Sequence, residues 1–147
     1  MLAAVQFIAI LCCTIFAGAA VYINLVEHPA RMGCGTQMAA TVWAPSYQRA
    51  TLMQAPLAIA SFVAGIAAWA LTGSLLWLIG AVLIGAVVPV TFIVIMPTNK
   101  RLLEPGRNMA SSETHALLER WGRLHAIRSV LSLLACFVYL GLLLNVA

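Results

Sequence analysis

Residues 50–96 read ATLMQAPLAIASFVAGIAAWALTGSLLWLIGAVLIGAVVPVTFIVIM and contain no Asp, Glu, Lys or Arg. A short polar break, TGS at 72–74, divides this stretch into two apolar segments, 50–71 and 75–96. Each segment has about the 20 residues with which an α-helix crosses a hydrocarbon layer of roughly 30 Å. The stretch therefore predicts two membrane-spanning helices joined by a tight turn.

Two further apolar segments flank this hairpin, at residues 2–26 and 124–146. Hydrophobic residues make up 63% of the 147 positions and charged residues 8%, whereas soluble domains are about half apolar and a quarter charged. We therefore predict a single all-α domain over residues 1–147, an integral membrane four-helix bundle whose transmembrane helices contact membrane lipid.

The two long connections between the predicted spans, 27–49 and 97–123, are polar and are predicted to be loops. Pro29 is expected to end the first helix, because proline pushes the residue before it out of the α region. The sequence Ser-Ser-Glu at 111–113 is typical of a capped helix start, with a hydroxyl group followed by an acid. We expect the helix that begins there to continue into the fourth span.

All charged side chains lie in these connections or beside them, between Glu27 and Arg128. The chain has eight Lys and Arg and four Asp and Glu, a net charge of +4. Basic residues near span ends stay on the cytoplasmic side, so both connections should face the cytoplasm and both termini the opposite side. The polar groups then gather at the cytoplasmic mouth of the bundle. The excess of basic over acidic residues favours contact with anionic lipid. No nucleic-acid partner is expected.

Three functional side chains form one stripe where the fourth span begins. Trp121, His125 and Arg128 are spaced at i, i+4 and i+7, which places them on one face of a helix. Arg128 lies about one turn inside the apolar segment, where a charge usually faces the bundle interior and has a partner. The alternative is that its long side chain extends to the lipid headgroups.

Polar residues at the inner ends of the other spans can complete a pocket around this stripe. Glu27 is the expected ion-pair partner of Arg128, because it ends the first span, and His28 follows it directly. Asn99, after the third span, adds an amide, and Tyr22 adds a phenol one turn or more before Glu27. We therefore predict a polar pocket beneath an apolar ceiling.

Five short motifs are spread over the chain: YINLVEHPAR at 22–31, WAPSY at 43–47, MQ at 53–54, MPTN at 96–99 and ERWGRLHAIR at 119–128. Together they resemble the anthrone oxygenase-like family of small four-span membrane proteins. The resemblance covers nearly the whole chain and implies the same fold. Named members of that family oxidise anthrones to anthraquinones with molecular oxygen in aromatic polyketide pathways.

The resemblance implies a membrane oxidoreductase of the oxygenase type, acting on an aromatic or quinol-like hydrophobic substrate at the cytoplasmic face of a bacterial inner membrane. Such chemistry needs a base, a cation and an apolar slot. His125 or His28 is the candidate base, and Arg128 with Asn99 would hold the developing oxyanion. Glu27 completes the candidate catalytic set. The candidate substrate-binding residues are Tyr22, Trp43, Tyr47, Gln54 and Trp121.

The sequence leaves the cofactor and the class of function open. Glu27, His28 and His125 form a two-histidine, one-carboxylate set that suits iron or copper, so the alternatives are no cofactor, a metal or haem. A small transporter or an accessory membrane subunit, neither of them an enzyme, also agrees with the sequence, and so does a homo-oligomer.

Overall fold

The computed structural model describes residues 1–144, which fold into four long helices. We number them in chain order: α1 is Leu2–Gly33, α2 is Thr36–Thr72, α3 is Leu75–Leu102 and α4 is Ser112–Leu144. Each is long and apolar enough to cross a membrane, and the described part of the chain contains no strand. The predicted all-α fold with four membrane-spanning helices is confirmed. The last two residues of the predicted fourth span, 145–146, lie outside the described residues.

The helices form a ring in which each packs against two neighbours, α1 against α2 and α4, and α3 against α2 and α4. Their connections are short, so neighbouring helices run antiparallel. Residues 34–35 and 103–111 connect the helices at one end of the bundle, which we call the basic end, and residues 73–74 form the turn at the other. Gly73 closes α2 with a φ of 70°, a conformation that glycine adopts without steric cost.

The two segments predicted as loops are largely helical, so that prediction was wrong in its local structure. α1 passes through Pro29 and ends at Gly33, α2 begins at Thr36, and α3 continues to Leu102. Two of these helices contain a π-helical turn, Ile23–Glu27 in α1 and Thr91–Ile95 in α3.

Each π turn ends two residues before a proline, Pro29 in α1 and Pro97 in α3. A proline in a regular helix lacks one hydrogen bond and clashes with the carbonyl four residues earlier. In the π turn of α1 the His28 N–H donates to the carbonyl of Ile23, five residues back. The helices thus continue through Pro29 and Pro97, as α2 does through two prolines without a π turn. π turns of this kind often occur at functional sites.

The helices are longer than a bilayer is thick. At about 1.5 Å per residue the 37 residues of α2 extend for about 55 Å, whereas the hydrocarbon core spans roughly 30 Å. Because the apolar part of α2 is its second half, its first half projects from the membrane at the basic end. The expected helix start before the fourth span is confirmed, since the Thr114 N–H donates to Ser111 Oγ at 3.2 Å.

Candidate functional site

A small cavity lies between all four helices, on the side of the bundle nearer the basic end. Its volume is about 20 Å³, space for about one water-sized molecule. α1 contributes Arg31, α2 contributes Gln54, α3 contributes Asn99, and α4 contributes His125 and Arg128. The remaining wall is formed by Ile23, Ser46, Tyr47, Ala50, Thr51, Ile95 and Trp121.

The cavity is rich in buried hydrogen-bond donors that the protein itself does not use. Within residues 1–144, no hydrogen-bond partner is present for Nε and Nη1 of Arg31, Nε2 of Gln54, Nε of Arg128, or Nδ2 and Oδ1 of Asn99. Asn99 is only 1% exposed. A buried polar group without a partner costs about 1–3 kcal/mol, so such a cluster is typical of a site that binds a ligand.

Arg128 is buried and makes a single side-chain hydrogen bond, which identifies its actual partner. Its Nη2 donates to Gln54 Oε1 at 2.6 Å, and the residue is 9% exposed. The guanidinium therefore does not extend to the lipid headgroups. The predicted ion pair with Glu27 does not form, because Glu27 is engaged elsewhere.

Glu27 pairs with Arg31, whose Nη2 lies 2.6 Å from Glu27 Oε1, and the same oxygen accepts a hydrogen bond from Ser46 Oγ. The helix continues across Pro29, so Arg31 lies four residues after Glu27 on the same face. Glu27 thus neutralises Arg31, and Arg128 remains as an uncompensated positive charge at the cavity.

His125 is fixed by Asn24, a residue that the sequence analysis did not single out. Asn24 Nδ2 donates to the carbonyl of Gly122 at 2.9 Å, so its Oδ1 must face the other way. That oxygen lies 2.7 Å from His125 Nδ1 and accepts a further hydrogen bond from Ser129 Oγ at 2.6 Å. His125 Nδ1 therefore carries the proton, and Nε2 is the basic nitrogen available to the cavity.

The aromatic residues form a packed wall. Trp43 and Tyr47 stack with centroids 5.2 Å apart and planes 2° apart, and Trp121 meets Trp43 edge-on at 5.7 Å. His28 packs on Trp121 at 5.1 Å. Trp43 and Trp121 are almost fully buried, so the rings lie against one another and leave no slot between them for a flat substrate.

The cavity wall does not include four predicted site residues: Tyr22, Glu27, His28 and Trp43. Trp43 stacks on Tyr47, which does line the cavity. Tyr22 is 56% exposed and lies on the outer surface between α1 and α2. His28 is buried with its ring over Gly122, where an added Cβ would come within 2.6 Å of His28 Nε2. Glu27 contacts Arg31 and Ser46, which line the cavity, but does not line it itself. Among residues 1–144 no three His, Cys, Asp or Glu side chains are grouped to hold a metal ion, so Glu27, His28 and His125 are not brought together.

Five polar residues of the site were not predicted from the sequence: Asn24, Arg31, Ser46, Thr51 and Ser129. Asn24 and Ser129 had a signal, because each interrupts an apolar run with a hydrogen-bonding group. Ser129 also lies four residues after His125, on the same helix face. Arg31 was assigned only to membrane topology, because the helix was expected to stop at Pro29.

The fold and the site together define a class: a small helical membrane protein whose four spans enclose a donor-lined cavity at one end. The chain belongs to the anthrone oxygenase family, whose sequence profile matches residues 43–138. The match includes Gln54, Asn99, His125 and Arg128 and begins after Asn24 and Arg31. No curated protein and no solved structure has significant similarity to the chain.

Proposed function

We propose that the chain is a membrane oxygenase that converts an anthrone-type aromatic compound to the quinone at the cavity beside His125 and Arg128. The observation that supports this most is the uncompensated Arg128 charge, buried beside unpaired donors of Gln54 and Asn99 and beside His125. A site of this kind stabilises a negative charge that develops on an oxygen atom of a bound molecule.

The proposed reaction starts with proton removal. The methylene carbon of an anthrone lies between two aromatic rings and opposite a ketone, so its deprotonation moves the negative charge onto the ketone oxygen. His125 Nε2 takes the proton. Arg128, with the amide N–H groups of Gln54 and Asn99, donates to the oxyanion.

Dioxygen then oxidises the electron-rich anion. In the balanced reaction the methylene group loses both hydrogens and becomes a carbonyl. One oxygen atom of O2 enters the product, and the other leaves as water with the two hydrogens. This reaction needs a base, a cation and a site shielded from bulk water. Burial of His125 and Arg128 beside the cavity supports that assignment.

The direct test is oxygen uptake by the purified protein in lipid nanodiscs with an anthrone as substrate. Anthrones oxidise slowly without a catalyst, so empty nanodiscs give the baseline rate. We expect uptake well above that baseline and, with oxygen-18 gas, one labelled atom in the quinone by mass spectrometry. An uptake equal to the baseline for several anthrones and hydroquinones, in a folded preparation, would reject the oxygenase function.

We also propose that the basic end faces the cytoplasm of a bacterial plasma membrane, because basic residues concentrate there. Cys34 reports on this directly: it is exposed in the short link between α1 and α2, whereas Cys13 and Cys136 are buried. A maleimide that cannot cross membranes should label Cys34 only after the cells are opened. The Cys34→Ser variant is the control, and labelling of intact spheroplasts would reverse the orientation.

A further inference from the structure

The cavity is too small to hold a substrate with three fused rings. A cavity of about 20 Å³ holds roughly one small molecule, so it can admit dioxygen or one reacting edge of a substrate. The packed rings of Trp43, Tyr47 and Trp121 leave no second space on that side. The body of the substrate must therefore bind beside the cavity, in a space that adjoins it.

A larger apolar groove adjoins the cavity between α2 and α3 and opens toward the bilayer. Its volume is about 280 Å³, close to the lower end of the roughly 300–1,000 Å³ of ligand pockets. Small side chains, Ala55 and Ala58, form its α2 side. Thr91 and Phe92, at the start of the second π turn, form part of its α3 side.

Arg128 joins the two spaces. It lines both the cavity and the groove, as do Tyr47 and Thr51. Its Cζ lies 5.4 Å from the ring centroid of Phe16, which also lines the groove. Among the described residues that line the groove, Arg128 alone is charged, and its Nε has no partner. The groove is thus apolar along its length and cationic at one end.

We infer that this α2–α3 groove binds the ring system of a flat aromatic ketone or phenol dissolved in the bilayer, with its oxygen directed at Arg128. The inference rests on the proposed function for the reaction, but it concerns where the substrate binds. The occupant follows from complementarity: the apolar walls match fused aromatic rings, and the buried guanidinium matches a phenolate or an enolate oxygen. The substrate then reaches the site sideways from the membrane and not from the aqueous loops.

A second groove, between α1 and α2, is the obvious competitor. Its volume is about 300 Å³, and it contains Tyr22, Glu27 and Arg49. It shares Ile23, Ser46, Ala50 and Gln54 with the cavity but includes neither His125 nor Arg128. Its walls contain Glu27 and Arg49, which suit a fused aromatic ring system poorly. The α2–α3 groove is therefore the better site.

The two grooves can be tested with the same substitution in each. Ala55 is exposed and lines the α2–α3 groove, whereas Ala19 is partly buried and lines the α1–α2 groove. The test compares Ala55→Phe with Ala19→Phe in nanodiscs. Ala70→Phe is the control, at an exposed position outside both grooves. The measurements are equilibrium binding of dihydroxyanthraquinone, a product-shaped probe that does not turn over, and oxygen uptake with an anthrone.

Ala55→Phe should weaken probe binding by about tenfold or more, equivalent to roughly 1.4 kcal/mol, and raise KM for the anthrone. Ala19→Phe and Ala70→Phe should stay within about twofold of the wild type. If Ala19→Phe shows the larger loss, or if all three variants bind alike, the groove assignment is wrong. Probe binding that depends on Ala55 without any oxygen uptake would support the groove and reject the oxygenase function.

Discussion

Replacing Arg128 by methionine should lower oxygen uptake by about 100-fold or more, the effect of removing one strong donor from an oxyanion site. The guanidinium is the single uncompensated charge of the cavity, because Glu27 is bound to Arg31. Without it the anion formed by proton removal has only the neutral amide donors of Gln54 and Asn99. The measurement is kcat and KM in nanodiscs, with the larger change expected in kcat.

The same substitution should leave the protein stably folded. Arg128 lies about one turn inside the apolar segment, where its charge costs less than the roughly 2.5–3.5 kcal/mol of a charge at the centre of a membrane helix. A hydrogen bond to a charged group contributes about 1.5–3 kcal/mol, so removal of the buried charge offsets part of the loss of the Arg128–Gln54 bond. A variant that is inactive but unfolds at the wild-type temperature or above separates a functional role from a structural one.

Arg123→Met is the matched control, since Arg123 lies on the same helix but is exposed. It should keep wild-type activity. Arg128→Lys should fall between the two, because an ammonium keeps the charge but loses the planar guanidinium geometry. If Arg128→Met retains most of its activity, the oxyanion assignment is wrong and Arg128 serves only the packing of the groove.

The sequence predicted best the features that depend on a single helix. Trp121, His125 and Arg128 line the cavity together, because spacing at i, i+4 and i+7 fixes their common face without reference to any other helix. The four spans were predicted equally well, because each is recognised from its own apolar length and its lack of charge.

Contacts between helices were less predictable from the sequence, and one local error had the largest effect. The prediction that α1 ends at Pro29 left Arg31 out of the predicted site. Glu27 was therefore predicted as the partner of Arg128. In the structure α1 continues through Pro29, with a π turn at Ile23–Glu27, and the Glu27–Arg31 pair forms. Residue spacing alone does not reveal such a turn, because regular helical spacing assumes hydrogen bonds between residues four apart.

The presence of a cavity and a separate groove could not be predicted from the sequence, because it depends on how tightly the side chains pack. Trp43, Tyr47 and Trp121 were predicted as substrate-binding residues, and as a set of aromatic residues they suit a flat substrate. In the structure these three rings pack against one another. The space for a ring system lies instead along Ala55 and Ala58, whose small side chains carry no chemical signal of a binding site.

His125 is the second residue whose loss should nearly abolish activity, and the structure separates it from the other candidate base. His125 lines the cavity with Nδ1 held by Asn24 Oδ1, whereas His28 packs behind Trp121. His125→Ala should therefore lower kcat by about 10²- to 10⁴-fold, the contribution of a positioned general base. His28→Ala should change KM or stability but keep most of kcat.

Proton removal can be measured apart from oxidation, which makes this prediction sharp. Under anaerobic conditions in heavy water the wild-type protein should exchange the methylene hydrogens of an anthrone faster than empty nanodiscs do. His125→Ala should lose that exchange. Asn24→Ala should retain substrate binding but exchange more slowly, by about 10- to 100-fold, the range for groups that orient a functional histidine. Exchange that survives in His125→Ala while oxygen uptake is lost would mean that another group removes the proton and that His125 acts on dioxygen instead.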